Sequence, residues 1–284
     1  MILGCGYVGA AVAREAVARG CRVTALTRNE GKAAALRADG VEVVVADLAT
    51  DAWHGQIAGG AEWVLKCVSS GGGGVEGYRH SYLAGMISVL GWARAHGAGT
   101  IVYTGSTSVY PQGGGVTIDE TAPTEGAGER AEILLEAEAR LRANEGACAR
   151  WFVLRLAGIY GPGRHHLLEQ VRAGEVAGRG DHRLNLIYRD DIVAGIWAAW
   201  RAAPGVENGI FNLADDGAAP KAEIAAWLAG RLGVPVPRFT GEPAAGRREV
   251  TPDRVIVAAK AKALLGWRPG TPTFREGYEK ILSR

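Results

Sequence analysis

Along the first half of the chain, short apolar runs alternate with stretches whose apolar residues recur at helical spacing. After a brief apolar start, residues 10–19 read as a helix ended by Gly20. Residues 21–27 follow as a strand, 30–38 as a helix and 41–46 as a strand. A fourth strand, 62–68, runs into Ser69-Ser70-Gly71-Gly72-Gly73-Gly74, a flexible loop placed where a ligand could sit. A long helix at 78–96, a strand at 100–104, a helix at 129–144 and a strand at 151–156 complete the alternation. This order predicts an α/β fold with a parallel sheet covered on both faces. Beyond Gly161 the pattern is less regular. Strands are expected at 184–188 and 210–213, helices at 190–201, 221–232 and 273–282, and an exposed loop at 241–248. Trp197, Trp200 and Trp227 fall at helix-face spacing and read as core.

A chain of 284 residues can bury a full core. The reading divides it into a nucleotide-binding domain at 1–160, joined by a strand and helix from about 184–214, and a smaller mixed α/β lobe at 161–284. A net charge of +2 gives no reason to expect nucleic acid or an anionic membrane as partner, and no apolar run is long enough to cross a bilayer. Cys5, Cys21, Cys67 and Cys148 lack paired spacing and are expected to be reduced thiols of a cytoplasmic protein, with no metal site.

The strongest local signal is Gly4-Cys5-Gly6-Tyr7-Val8-Gly9, set between an apolar strand and a helix, with a second strand at the expected distance. Gly4 suits a tight turn, Gly6 a close approach to a pyrophosphate, and Gly9 close packing of helix on sheet. The helix N-terminus offers N–H groups and partial positive charge to phosphates. Only three residues precede Gly4, which predicts either a very short first strand or residues missing upstream. At the end of strand two, Thr27-Arg28-Asn29 carries no acid to accept from a ribose 2′-hydroxyl; Arg28 suits a 2′-phosphate, with Thr27 and Asn29 as further donors. NADP is therefore expected over NAD. Asp47 and Leu48 after strand three suit an adenine amino group and ring, and a helix-capping role for Asp47 explains it equally well. Cys67, Val68 and Ser69 around the end of strand four, and Thr104 at the end of strand five, are expected to line the same cofactor.

Several further motifs lie in order behind this turn: Tyr103-Thr104-Gly105-Ser106-Thr107-Ser108-Val109-Tyr110-Pro111, Arg155-Leu156-Ala157-Gly158-Ile159-Tyr160-Gly161-Pro162-Gly163, Tyr188-Arg189-Asp190-Asp191-Ile192, Phe211-Asn212-Leu213 and Leu265-Gly266-Trp267-Arg268-Pro269. With them the chain resembles the extended branch of the short-chain dehydrogenase/reductase superfamily, the nucleotide-sugar epimerase and dehydratase group. The resemblance implies a Rossmann-type, doubly wound sheet of about seven strands, with a small C-terminal lobe closing over a small-molecule substrate. It implies that Ser106 lies beside the nicotinamide and polarises a substrate hydroxyl or carbonyl, with Thr107 and Ser108 as adjacent hydroxyls. It also implies a homodimer built on the helices at 78–96 and 129–144; Leu83, Ile87 and Leu90 fit that use and fit burial against the sheet equally well.

One departure matters. Members of this group carry a Tyr-x-x-x-Lys pair about 25 residues after the serine, the tyrosine as acid/base and the lysine to lower its pKa and hold the ribose. Here Arg130 and Leu134 occupy those positions, and no such pair occurs in the chain. The resemblance is thus to an atypical member. One reading is an oxidoreductase or epimerase/dehydratase with a relocated acid, Tyr160 first, then Tyr188, His165 and His166. Another is a non-catalytic NADP(H)-binding sensor or scaffold, with Arg130 as an anion clamp. A sugar-nucleotide dehydrogenase of different architecture would need a catalytic cysteine in a later domain, and Cys148 does not fit that. Lys66, the lysine nearest the cofactor, either replaces the missing ribose ligand or points to solvent. Tyr82 stands where relatives often carry asparagine.

Overall fold

A computed structural model describes residues 1–144, 146–242 and 252–283. Its centre is a seven-stranded parallel sheet. Strand β1 is Ile2–Leu3, β2 Thr24–Thr27, β3 Glu42–Val45, β4 Ala61–Lys66 and β5 Ala98–Ser106; strands Cys148–Leu156 and Gly209–Leu213 extend the sheet beyond β5. Although β1 has two residues, it is central: Ile2 pairs with Ala25 of β2 on one side and Leu65 of β4 on the other. Strand order runs outward through β2 and β3 from one edge of β1, and through β4 and β5 from the other. The strand order reverses between β1 and β4, and open α/β sheets take ligands at the carboxyl end of such a switch point. Val64, Leu65, Ile101, Val102 and Tyr103 are buried, as continuous apolar strands with both faces covered must be.

Helix α1 (Tyr7–Ala18) begins three residues before the apolar pattern suggests, because the glycine turn itself supplies its first turn. The strand expected from residue 21 starts only at Thr24: the Cys21 N–H donates to the Ala16 carbonyl, and Gly20, at φ +79°, closes α1. Helix α2 (Glu30–Ala38) has the expected bounds, capped by Asn29 Oδ1 accepting from the Lys32 N–H at 2.8 Å. The long helix after β4 starts earlier, as α3 (Gly74–Tyr78), passes through a π-helical stretch Arg79–Ala84, and continues as α4 (Gly85–His96). Helix α5 covers Glu129–Ala143.

The chain forms two units. The first comprises Met1–Tyr110, Thr124–Arg155 and Val193–Phe211. Its core gathers Leu26, Val64, Trp53, Trp92, Ile101 and Tyr103, and Trp197 and Trp200 are buried as expected. The second comprises Pro111–Pro123, Leu156–Ile192 and Asn212–Arg284. Its core gathers Tyr160, Tyr188, Ile224, Leu228, Phe274 and Tyr278, with Trp227 partly buried against it. The strand expected at 184–188 is two strands. Arg183–Leu184 pairs antiparallel with Ala219–Pro220, and Leu186–Tyr188 pairs parallel with Gly158–Tyr160. Asn185 separates them because its side chain is committed elsewhere, donating to the Arg254 carbonyl and accepting from the Ile256 N–H. Two separated motifs meet here: Asp191 accepts from the N–H groups of Gly270 and Thr271, and its carbonyl accepts from the Trp267 indole. The loop expected at 241–248 lies, from residue 243, outside the described residues. No helix among them is long and apolar enough to cross a membrane.

Candidate active site

The glycine turn separates cleanly into two kinds of position. At Gly4, φ is +98° and a Cβ would stand 2.3 Å from the Cys67 carbonyl oxygen; at Gly9 a Cβ would stand 2.6 Å from the Gly4 carbonyl. Those two glycines let the turn pack on β4 and on itself. At Gly6 a Cβ would meet nothing within 4 Å, so the glycine there keeps space open rather than relieving a clash. Gly6 caps α1 without a side chain, so no side-chain cap hydrogen bond closes the N-terminus of the helix. A dinucleotide pyrophosphate fits this cradle. Beneath it lie Cys67, whose sulfur accepts from the Gly9 N–H, and Thr104, which is buried and donates to the Lys66 carbonyl. Burial pushes the Cys67 thiol up, so it is neutral there. Val68 is half-buried and Ser69 exposed at the loop that follows.

At the end of β2, Thr27 is buried and accepts from the Asn29 N–H, whereas Arg28 is exposed. The Arg28 guanidinium reaches the four-glycine loop: a Cβ at Gly71 would lie 3.2 Å from Nη2. No helix starts at Asp47, so it does not take the helix-capping role; its carboxylate is held by a turn and by a histidine. It accepts from the Ala49 N–H at 3.0 Å and pairs with His80 Nε2 at 2.7 Å, with a third of its side chain still exposed. Burial opposes its ionisation, but these two hydrogen bonds and the nearby charges of His80 and Arg28 outweigh that and hold it below the usual carboxylate range. Leu48 is buried in the core beside Gly85. His80 was not visible as a site residue, because its partner is 33 positions away and no spacing links the two.

Ser106 ends β5 half-buried, its Oγ accepting from the Ser108 N–H at 3.1 Å, while Thr107 is buried. Behind this loop lies a buried charge pair. Arg155 donates to both carboxylate oxygens of Glu138, at 3.0 and 2.6 Å, and to the Tyr110 hydroxyl at 2.9 Å. A Cβ at Gly105 would stand 3.1 Å from Glu138 Oε1, so the glycine before Ser106 lets α5 come this close. Of the two departures on α5, Arg130 is exposed with its guanidinium 5.6 Å from the Tyr78 ring centroid, and Leu134 is buried.

Lys66 does not point to solvent. It is fully buried at the end of β4, its Nζ donating to the Ser81 carbonyl at 3.2 Å and lying 5.6 and 5.0 Å from the ring centroids of Tyr82 and Tyr103. Burial lowers its pKa from 10.5 to about 7, against the opposing influence of Cys67. Between those two pH values the unfolded chain binds a proton that the folded chain releases, so stability rises with pH across that window. Lys66→Met removes the buried ammonium. We expect it to raise Tm at pH 6 by an amount corresponding to roughly 5 kcal/mol and to flatten the rise between pH 7 and 10. Thermal melts across that range check this; an unchanged slope would show that Lys66 is charged at no cost.

In the second unit, Tyr160 is packed between Tyr188 and Tyr278, with ring centroids 5.4 and 5.2 Å away. Its hydroxyl donates to the Thr273 carbonyl at 3.4 Å, and a Cβ at Gly277 would collide with it. Burial, then the charge of Asp215, pushes its pKa well up. Tyr188 is buried in the same cluster. His165 lies against the Gly161 carbonyl, and His166 is exposed beside Glu169.

A parallel sheet with a switch point between β1 and β4, and a glycine turn leading into α1 at its carboxyl end, defines a Rossmann-type protein, and comparison with known proteins narrows the class. The model of the NAD dependent epimerase/dehydratase family matches residues 1–214. Protein YeeZ of Escherichia coli K12 is 27% identical over 255 residues, covering 88% of this chain and 89% of that protein. The 2-alkyl-3-oxoalkanoate reductase of Stenotrophomonas maltophilia is 28% identical over 255 residues, covering 82% and 74%. UDP-glucose 4-epimerase of Thermotoga maritima superposes with a TM-score of 0.84 at 17% identity, covering 99% and 96%, which supports the fold. The chain belongs to the NAD-dependent epimerase/dehydratase family, and its function is of the NAD(P)-dependent oxidoreductase or epimerase type.

Proposed function

We propose that this protein is an NADP(H)-dependent enzyme of the cytoplasm that reduces or epimerises a small carbonyl or sugar-nucleotide substrate, with Ser106 as the group that polarises the reacting oxygen. The observation that carries the reading is the open space at Gly6 between two glycines that packing requires. Gly6 and the N-terminus of α1 would hold the pyrophosphate, Arg28 a 2′-phosphate, and Asp47 the adenine end. A bound nicotinamide supplies hydride exchange with carbon. Ser106 suits the polarising role better than Thr107 because it keeps exposure that Thr107 lacks. Tyr160 suits packing better than acid chemistry, since its hydroxyl is turned to a backbone carbonyl inside its own unit. The related reductase and the structurally similar epimerase act on a 3-oxo acid and a UDP-sugar by name, which sets the substrate panel.

Calorimetric titration should show NADPH binding at least about tenfold tighter than NADH, and Arg28→Asp should reverse that order, since a guanidinium–phosphate pair is worth more than one kcal/mol. Equal affinities in the wild type would sink the NADP assignment. NADPH oxidation screened against 3-oxo acids and nucleotide sugars tests turnover. A second reading, a sensor that binds NADP(H) without turnover, is favoured by one observation: Leu134, at the position of the ribose-binding lysine, is buried apolar core. Tight cofactor binding with no turnover across the panel would establish it.

A further inference from the structure

Three tyrosines, one buried lysine and the π-helical stretch meet in the first unit. Lys66, from the end of β4, stands under Tyr82 and beside Tyr103. Tyr82 and Tyr78 lie ring to ring at 5.0 Å, and Arg130, at the position of the missing α5 tyrosine, covers Tyr78. The phenols thus extend without a gap from position 130 of α5 to the lysine of β4. The three are not equivalent. Tyr103 is fully buried and its hydroxyl has no hydrogen-bond partner among the described residues, so it cannot reach a substrate. Tyr78 keeps exposure but has Arg130 as its cation, on the outer side. Tyr82 keeps exposure and has the lysine beneath it. It also lies within Arg79–Ala84, where the helix widens to π geometry, a distortion that recurs at functional sites. The same widened stretch presents the Ser81 carbonyl to the Lys66 ammonium.

We propose that Tyr82 and Lys66 form the tyrosine–lysine couple of this enzyme, with Tyr82 as the catalytic acid and Lys66 as the positioning cation that supports its phenolate. The proposal rests on the reductase reading above. In carbonyl reduction the carbonyl carbon takes the hydride of a reduced nicotinamide, and the carbonyl oxygen takes the phenol proton of Tyr82. The products are an alcohol and an oxidised nicotinamide, and the phenolate is reprotonated from solvent. The cation has few competitors. The titratable groups around the couple are Cys67 beside Lys66, Tyr78 on the neighbouring helical turn, Tyr103 from β5, and Glu138 and Arg155 behind Tyr103. Cys67 is held neutral by burial, and Glu138 and Arg155 neutralise one another.

The test combines a titration with kinetics. In protein carrying ¹³Cζ-tyrosine, with Tyr82→Phe assigning the resonance, the Tyr82 signal should move in a step near pH 7 as Lys66 titrates, and the step should vanish in Lys66→Met. A Tyr82 signal flat through that range, or a step that survives Lys66→Met, overturns the couple whether or not the protein turns over. Lys66→Met replaces an ammonium by an apolar chain of similar length, and Tyr103→Phe provides a second variant that removes a phenol beside Lys66 but should keep the step. In the reductase assay, Tyr82→Phe should lower kcat about 100-fold or more with KM little changed, and Lys66→Met should remove the alkaline limb of the pH profile. Full turnover by Tyr82→Phe overturns the acid role alone. Absence of turnover in a wild type that binds NADPH overturns the reductase reading and the acid role together.

Discussion

Gly6→Ala is expected to abolish dinucleotide binding while leaving the fold intact. The three glycines of the turn do different work. A methyl at Gly4 would press on the Cys67 carbonyl at 2.3 Å in a backbone conformation that favours glycine, and one at Gly9 would press on the Gly4 carbonyl at 2.6 Å. Both contacts are with backbone, which cannot turn aside as a side chain can. Alanine at either should therefore cost about 1–3 kcal/mol of stability, which for a chain of this size lowers Tm by several degrees. At Gly6 the methyl meets nothing, so Tm should change by no more than about 2 °C. The methyl instead occupies the space through which a pyrophosphate would reach the N-terminal N–H groups of α1. Losing those contacts should weaken NADPH binding at least about 100-fold, since several charge-assisted hydrogen bonds are lost together. Calorimetry and thermal melts on the three alanine variants separate these effects. Unchanged affinity in Gly6→Ala would show that the cofactor does not use this cradle.

The second large effect is expected at Glu138. Removing this carboxylate by Glu138→Ala leaves the Arg155 guanidinium in an interior where each of the paired side chains is 4% exposed or less. Breaking a buried pair from one side typically costs about 3–5 kcal/mol, because the remaining charge is neither hydrated nor paired. Tyr110 and its ring offer the guanidinium only a hydroxyl and a π-face. Removing both charges, by Glu138→Met with Arg155→Met, should recover most of the loss. The double variant should still be impaired near Ser106, because the pair also holds α5 against Gly105. Chemical denaturation of the single and double variants gives the coupling energy directly. A single variant that loses less than about 1 kcal/mol would show that water reaches Arg155.

Much of this molecule is legible from local pattern. Helix α2 has the expected bounds because its determinants, an Asn cap and an apolar face, lie within the same ten residues. Lys221–Leu232 has them because Pro220 precedes it and Gly233 takes the left-handed conformation at its end. The glycine turn was legible for a similar reason: turn, helix start and strand are contiguous. Where boundaries differ, a contact from elsewhere intervenes, as when the amide side chain of Asn185 binds the strand Arg254–Ile256 and divides its own strand in two.

By itself, then, the sequence determined the parallel α/β class, the glycine cradle and the absence of a Tyr-x-x-x-Lys pair, all properties of neighbouring residues. Only the tertiary structure decided what the charged and phenolic side chains do. It buried Lys66 beneath Tyr82, paired Asp47 with His80, joined Glu138 to Arg155, and packed Tyr160 away among aromatic rings. The physical reason is that an ionisable group is governed by its solvation and its nearest charges, and these are brought to it by segments tens of residues away.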